Sequence, residues 1–125
     1  MKTVTFTIEP FSEGLKRFKD TFEAVKAGRL VEPRELAGFT SLEAARNFLT
    51  RERLGLLRTI KMRRPCSIYE HELARMVGRD LKNVQEDIRI LERHGLVRIA
   101  TRPRGTRTVK VPRVHFEAIA LKIAI

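Results

Sequence analysis

The twenty residues Gly78-Arg-Asp-Leu-Lys-Asn-Val-Gln-Glu-Asp-Ile-Arg-Ile-Leu-Glu-Arg-His-Gly-Leu-Val97 constrain this chain more than any other stretch. Asp80 is a residue type that caps a helix N-terminus, and Gly95 can close the same helix in the left-handed conformation that other residues resist. Between them Leu81, Val84, Ile88 and Leu91 recur at helical spacing and form one apolar stripe. Lys82, Asn83, Gln85, Glu86, Arg89 and Arg93 take the other side, a face that is polar without being simply cationic. Such a helix buries one side in a core and holds amides and charges outward.

The flanking segments supply a context for it. Ser67-Ile-Tyr-Glu70 has the spacing of a capping box, so a helix is expected from Ser67, with Leu73, Met76 and Val77 inward and Gly78 ending it. Only Gly78-Arg79-Asp80 then separates two helices. Upstream, Leu49, Leu56, Leu57 and Ile60 predict a helix over 49–62, broken near Thr50, extended by Lys61, Arg63 and Arg64 and stopped by Pro65. Thr40-Ser-Leu-Glu43 is another capping box and introduces a short helix through Phe48.

Downstream, residues 96–100 and 107–111 read as strands. Pro103 and Gly105 favour a turn over 101–106 and oppose either strand running through it, and Pro112 is expected to break the second strand. This hairpin carries Arg98, Arg102, Arg104, Arg107, Lys110 and Arg113, and no acid.

At the N-terminus, residues 3–8 alternate with Val4, Phe6 and Ile8 on one face, a strand that Glu9-Pro10 ends. Ser12 begins a helix with Leu15, Phe18, Phe22 and Val25 on one side and Gly28 at its close; its cations are interleaved with Asp20 and Glu23, as on a solvated face. Residues 29–39, with Pro33 and Gly38, form a connector. Near the C-terminus Ile119, Leu121, Ile123 and Ile125 alternate as a strand would, although Phe116, Ile119 and Ile123 also fit a helix. The strand is favoured, because Ile dominates and a lone N-terminal strand needs a partner.

The net charge of +11 is unevenly spread. Residues 1–50 hold 8 Lys+Arg against 7 Asp+Glu, residues 51–113 hold 17 against 7, and residues 114–125 hold Lys122 and Glu117. A basic surface confined to a folded segment favours a polyanionic partner. A basic surface that serves solubility is the plainer alternative, and an acidic membrane fits less well. Within 81–94, Lys82, Arg89 and Arg93 are matched by Glu86, Asp87 and Glu92, so the excess lies in the flanks 51–64 and 98–113. That implies a division in which flanks supply affinity and the helix discrimination. Pairing of Arg89 and Arg93 with neighbouring acids is the alternative.

Other classes are poorly served. A hydrophobic content of 42% allows a core, while no apolar run approaches the roughly 20 residues of a membrane helix. No secretory signal is visible, and one cysteine cannot form an internal disulfide, so a soluble, cytoplasmic protein is expected. His71, His94 and His115 are scattered and Cys66 stands alone, without metal-ligand spacing. His94 is expected in the last turn of its helix, favoured by the negative helix end; Cys66, beside Arg63 and Arg64, is either a small buried residue or a redox-active thiol. With no phosphate loop, nucleophile elbow or paired carboxylates, neither an enzyme nor a cofactor is expected.

The capped helix, short turn, amphipathic helix ending in Leu91-Glu-Arg-His-Gly-Leu-Val97 and basic hairpin together resemble winged helix-turn-helix transcriptional regulators, MarR-like and ArsR-like prokaryotic proteins above all, over about residues 50–112. The full chain is more loosely similar to a small, little-characterised prokaryotic family regarded as DNA-binding, some members of which are paired with a small toxin. The resemblance implies an α+β fold: an N-terminal strand-helix extension (1–49), a winged helix-turn-helix of three-helix core plus β-hairpin wing (50–112), and a C-terminal strand (113–125). It puts a recognition helix, 81–94, in the major groove of duplex DNA, with Lys82, Asn83, Gln85, Glu86 and Arg89 reaching base edges or flanking phosphates. Asn and Gln pair bidentately with adenine, Arg and Lys with guanine, and Glu accepts from cytosine. Ser67, Tyr69 and Arg79 would lie near the backbone, and Arg102, Arg104 and Arg107 of the wing (101–107) at the adjacent groove or phosphates. A homodimer is implied, with Phe6, Phe18, Phe22 and the terminal isoleucines as interface candidates unless they bury one another within one chain. Two further functions stay open: an antitoxin whose residues 1–50 hold a small toxin while it autoregulates its operon, and a winged helix used for protein contacts.

Overall fold

The structure, a computed structural model, describes residues 2–9, 38–67 and 71–125. The expected helix from Ser12 to Gly28, the connector before Gly38, and residues 68–70 with Tyr69 lie outside the described residues. The elements in chain order are β1 (Thr3–Ile8), β2 (Gly38–Phe39), α1 (Leu42–Phe48), α2 (Arg51–Arg63), α3 (His71–Val77), α4 (Leu81–Arg93), β3 (Arg98–Arg104), β4 (Arg107–Arg113) and β5 (Ala118–Ile123). They divide into two units: Leu49–His115, and Met1–Phe48 together with Phe116–Ile125.

Local side chains set the helix ends in the Leu49–His115 unit. The N–H of Arg53 donates to Thr50 Oγ1 at 3.2 Å and starts α2, so the break expected near Thr50 is a true cap. Asp80 does the same for α4, accepting from the Asn83 N–H at 3.4 Å. Gly78 and Gly95 have φ of +68° and +77°, a region costly to any residue with a Cβ. Both close their helices by one motif: the glycine N–H reaches the carbonyl three residues back (Arg75 at 3.3 Å, Glu92 at 2.9 Å) and the next N–H the carbonyl five back (Ala74 at 3.0 Å, Leu91 at 2.9 Å). Leu56, Leu57 and Ile60 of α2, Leu73 and Ala74 of α3, and Val84, Ile88 and Leu91 of α4 are buried, as are Leu96 and Val97 beyond Gly95. The inward side of α3 is thus Leu73 with Ala74, while Met76 and Val77 are half-buried.

The hairpin corrects two expectations. β3 and β4 pair antiparallel from Arg98↔Arg113 to Arg104↔Arg107, so only Gly105 and Thr106 form the turn and both strands run through their prolines. The reason is parity. In a two-residue hairpin the closing pair exchanges hydrogen bonds and pairs alternate from there. Pro103↔Thr108 and Ile99↔Pro112 lie one and five pairs from Arg104↔Arg107, at positions that exchange none. A proline nitrogen there removes no ladder bond.

The other unit holds a parallel three-stranded sheet of order β2-β1-β5. The C-terminal strand pairs with β1 from Thr3↔Ala118 to Ile8↔Ile123, as the need of a lone N-terminal strand for a partner predicts. β2 was not anticipated; the pairing of Phe39 with Ile8 keeps the backbone extended. The helix therefore starts one residue later than the Thr40 box implies. Ser41 is the cap, accepting from the Ala44 N–H at 3.0 Å. Phe6, buried at 3% exposure, meets Phe39 at 5.3 Å and Phe48 at 6.4 Å between ring centroids. That intrachain cluster removes Phe6 from the candidates for a contact between copies. Phe18 and Phe22 lie outside the described residues.

Two glycines give predictions of opposite sign. A Cβ on Gly95 or Gly55 meets nothing within 4 Å, so only backbone conformation decides. Gly95→Ala should destabilise the chain by about 1–2 kcal/mol, the left-handed penalty. Gly55→Ala, within α2, should stabilise it by about 0.5–1 kcal/mol. Denaturant titration of each variant reads both.

Candidate nucleic-acid interface

The burial of Val84, Ile88 and Leu91 dictates what α4 shows outward. At 3.6 residues per turn, Lys82, Glu86, Arg89 and Arg93 fall on one line opposite that stripe, and all four are exposed. Asn83, exposed, and Gln85, half-buried, flank the line on opposite sides. Among the described residues none of Lys82, Glu86, Arg89 and Arg93 makes an ion pair, so Arg89 and Arg93 are not taken up by neighbouring acids. His94 caps the helix, its Nδ1 2.9 Å from the Ile90 carbonyl.

The acid of α4 that is engaged is Asp87. Its carboxylate takes Arg53 Nε of α2 at 3.1 Å on one oxygen and Arg79 Nη2 of the α3–α4 turn at 2.7 Å on the other. The three side chains are largely buried. This changes the charge balance read from the sequence. The formal neutrality of 81–94 includes an acid already neutralised by two arginines outside the segment, so the outward line of three cations and Glu86 is net positive. Arg79 is accordingly held on Asp87 instead of extending to solvent. It also lines a cleft of about 450 Å³ with Ala74, Arg75, Gly78, Asp80 and Leu81.

The hairpin arranges its cations by register. Side chains of paired residues share a face and alternate along each strand. Arg98↔Arg113, Arg102↔Val109 and Arg104↔Arg107 therefore put all five hairpin arginines on one face, with Lys110 on the other beside Thr101. At its base the arginine face is core: Val109 and Val111 are buried, and β4 packs on α2. Arg113 there donates through Nη1 to the carbonyls of Pro65 at 3.0 Å and Pro112 at 2.8 Å. From Thr101 to Thr108 every residue is exposed, including Arg102, Arg104 and Arg107.

The expected site residues thus separate into groups. Lys82, Asn83, Glu86 and Arg89 are exposed on α4, Gln85 at its flank, and Arg102, Arg104 and Arg107 at the hairpin tip. Ser67 is only 1% exposed, which withdraws its hydroxyl from any phosphate, and Tyr69 lies outside the described residues. Asp87, Arg53 and Arg113 were missed as organising groups; Arg98, on the same face, completes the arginine set. Their partners are distant in sequence, and the only local signal was an acid inside an otherwise outward-facing cationic pattern. Cys66 is exposed, against the expectation of burial, and its N–H donates to Glu72. Among the described residues no three His, Cys, Asp or Glu side chains converge as a metal site would require, and no helix is long and apolar enough to cross a membrane.

Among the described residues, four helices and two sheets define a mixed α/β chain in which a helical unit with a basic hairpin sits, in sequence order, between strands of a parallel sheet. The family model described as HVO_A0114 matches residues 48–121, more than half of the chain, and the chain belongs to that family. The matched span runs from the last residue of α1 through α2, α3, α4 and the hairpin into β5. Neither a curated protein nor a solved structure matches the chain.

The two ends of the arginine face should respond differently to truncation. Arg113→Ala, which strips the donor from the Pro65 carbonyl, should cost about 1–2 kcal/mol. Arg102→Ala, in exposed backbone, should stay within about 0.5 kcal/mol. Equal thermal shifts in the two variants would contradict this assignment of base and tip.

Proposed function

We propose that residues 49–115 form a winged helix-turn-helix that binds double-stranded DNA and makes the chain a transcriptional regulator, with α4 as recognition helix and the β3–β4 hairpin as wing. The observation that carries this reading is the exposed hairpin tip with its arginines on one face and no acid within residues 98–113. Clustered guanidiniums suit phosphate, to which they bond bidentately. The outward face of α4 supports the other half. Asn83, Gln85 and the Lys82–Glu86–Arg89 line offer the mixed donors and acceptors that base edges in a major groove require. A purely phosphate-binding helix has no use for Glu86. Affinity on this reading comes from the wing and from the cations of α2, and discrimination from α4.

Regulators of this build usually act as two-fold dimers, because one module reads few bases. β5 is the edge of its sheet among the described residues and shows Leu121 and Ile123 to solvent, with Ile125 just beyond its end, which makes it the surface we assign to self-association. A single species of monomer mass at high concentration in sedimentation would remove the dimer and leave the DNA reading intact.

Selection of bound sequences from a random duplex pool tests the function itself. A recovered motif with two half-sites supports a dimeric sequence reader. Failure to retain any duplex at low salt would favour a winged helix used for protein contacts, with a protein partner for the same basic surface. Replacing Arg102, Arg104 and Arg107 together should weaken binding to every duplex and flatten its salt dependence by about 0.9 for each phosphate no longer neutralised. Asn83→Ala or Gln85→Ala should instead change which sequences are retained, at roughly 1–3 kcal/mol for each bidentate pairing with a base.

A further inference from the structure

Arg79 stands where a cation would ordinarily serve DNA binding without regard to sequence. It follows the Gly78 closure of α3 and precedes the Asp80 cap of α4, at the turn that flanks the backbone if α4 enters a groove. Yet its Nη2 is on Asp87 at 2.7 Å, and its Nη1 is buried with no hydrogen-bond partner among the described residues. The Arg53–Asp87 pair already ties α4 to α2 without it. A partly buried ion pair adds little net stability over apolar packing, and a buried donor without a partner costs stability. One carboxylate holds two guanidiniums, Arg53 and Arg79, one on each oxygen. The cleft of about 450 Å³ that Arg79 lines gives its side chain room to swing outward.

We infer that Asp87 is a positioning residue that withholds Arg79 from the phosphate backbone. The inference rests on the DNA-binding reading above. A phosphate contact adds affinity for every duplex without discriminating between sequences, so withholding one lowers binding to all of them and its sensitivity to salt. By engaging Arg79, Asp87 removes one phosphate contact that every duplex would offer; by engaging Arg53 with its other oxygen, it also fixes α4 against α2. Arg53 remains a structural partner whether or not Arg79 is released.

The test is the salt dependence of binding to a random-sequence duplex, with thermal melting as a control for folding. Wild type, Asp87→Asn, Arg79→Gln and the double variant are compared. Asp87→Asn should steepen the slope of log affinity against log salt by about 0.9, the release of one further counterion, and bind random duplex more tightly. Arg79→Gln alone should leave the wild-type slope unchanged, and the double variant should return to it. Asp87→Glu, which keeps the charge, should also retain the wild-type slope. An Asp87→Asn slope equal to wild type, in a folded variant, overturns the inference. So does a flatter slope in Arg79→Gln, which shows Arg79 already on phosphate, and that arm stands even if Asp87→Asn does not fold. A wild-type chain without salt-sensitive duplex binding overturns the DNA reading itself, and this inference with it.

Discussion

The carboxylate of Asp87 joins three elements that have no local reason to align. Arg53 is the third residue of α2, its backbone held by the Thr50 cap; Arg79 is placed by the left-handed closure at Gly78; Asp87 rides on α4. Apolar contact through Leu56, Ile60, Leu73, Val84, Ile88 and Leu91 brings the helices together but is non-directional. The bonds to Asp87 at 3.1 and 2.7 Å are directional, and they hold the flank beside the buried stripe of α4 against α2 and the α3–α4 turn. With that flank inward, the line Lys82–Glu86–Arg89–Arg93 points outward. The chemistry available at the surface therefore depends on an ion cluster that does not take part in it.

A second constraint operates in the hairpin. Strand parity decides both whether proline is tolerated and which side chains gather. Because Arg104 pairs with Arg107 across a two-residue turn, Pro103 and Pro112 fall where no ladder bond is lost, and the five arginines fall on one face. A shift of one residue in register would put the two prolines in opposite classes of pair, so that one of them removes a ladder bond, and would split the arginines between faces. Val109 and Val111 anchor this register by filling the core beside α2. The charge at the tip is thus organised by apolar burial at the base.

What could be read in the sequence was local. The cap at Asp80, the stop at Gly95 and the stripe of α4 involve residues within a few positions of one another, and the structure has them as expected; the break expected near Thr50 is a helix cap. The C-terminal strand was legible for a different reason: an isolated strand at the other end left bonds to be satisfied. The misplaced features depend on distant partners. Ser41 replaces Thr40 as cap because Phe39 is paired to Ile8, far earlier in the chain. Pro103 and Pro112 looked like breakers because their effect depends on a register that the turn sets. At the site, α4 and the wing tip could be named from residue type and spacing. The inward turn of Arg79 could not, since its partner Asp87 lies on the opposite side of a helix cap.

On the function proposed above, α4 reads a duplex while the hairpin tip grips its backbone. Amide chemical-shift mapping during titration with a short duplex tests this directly. Perturbations should concentrate at residues 82–89 and 101–107, with Val4, Phe6 and Ile8 of β1 unchanged. Shifts confined to β1 and β5, or none at duplex concentrations well above the protein, would contradict it.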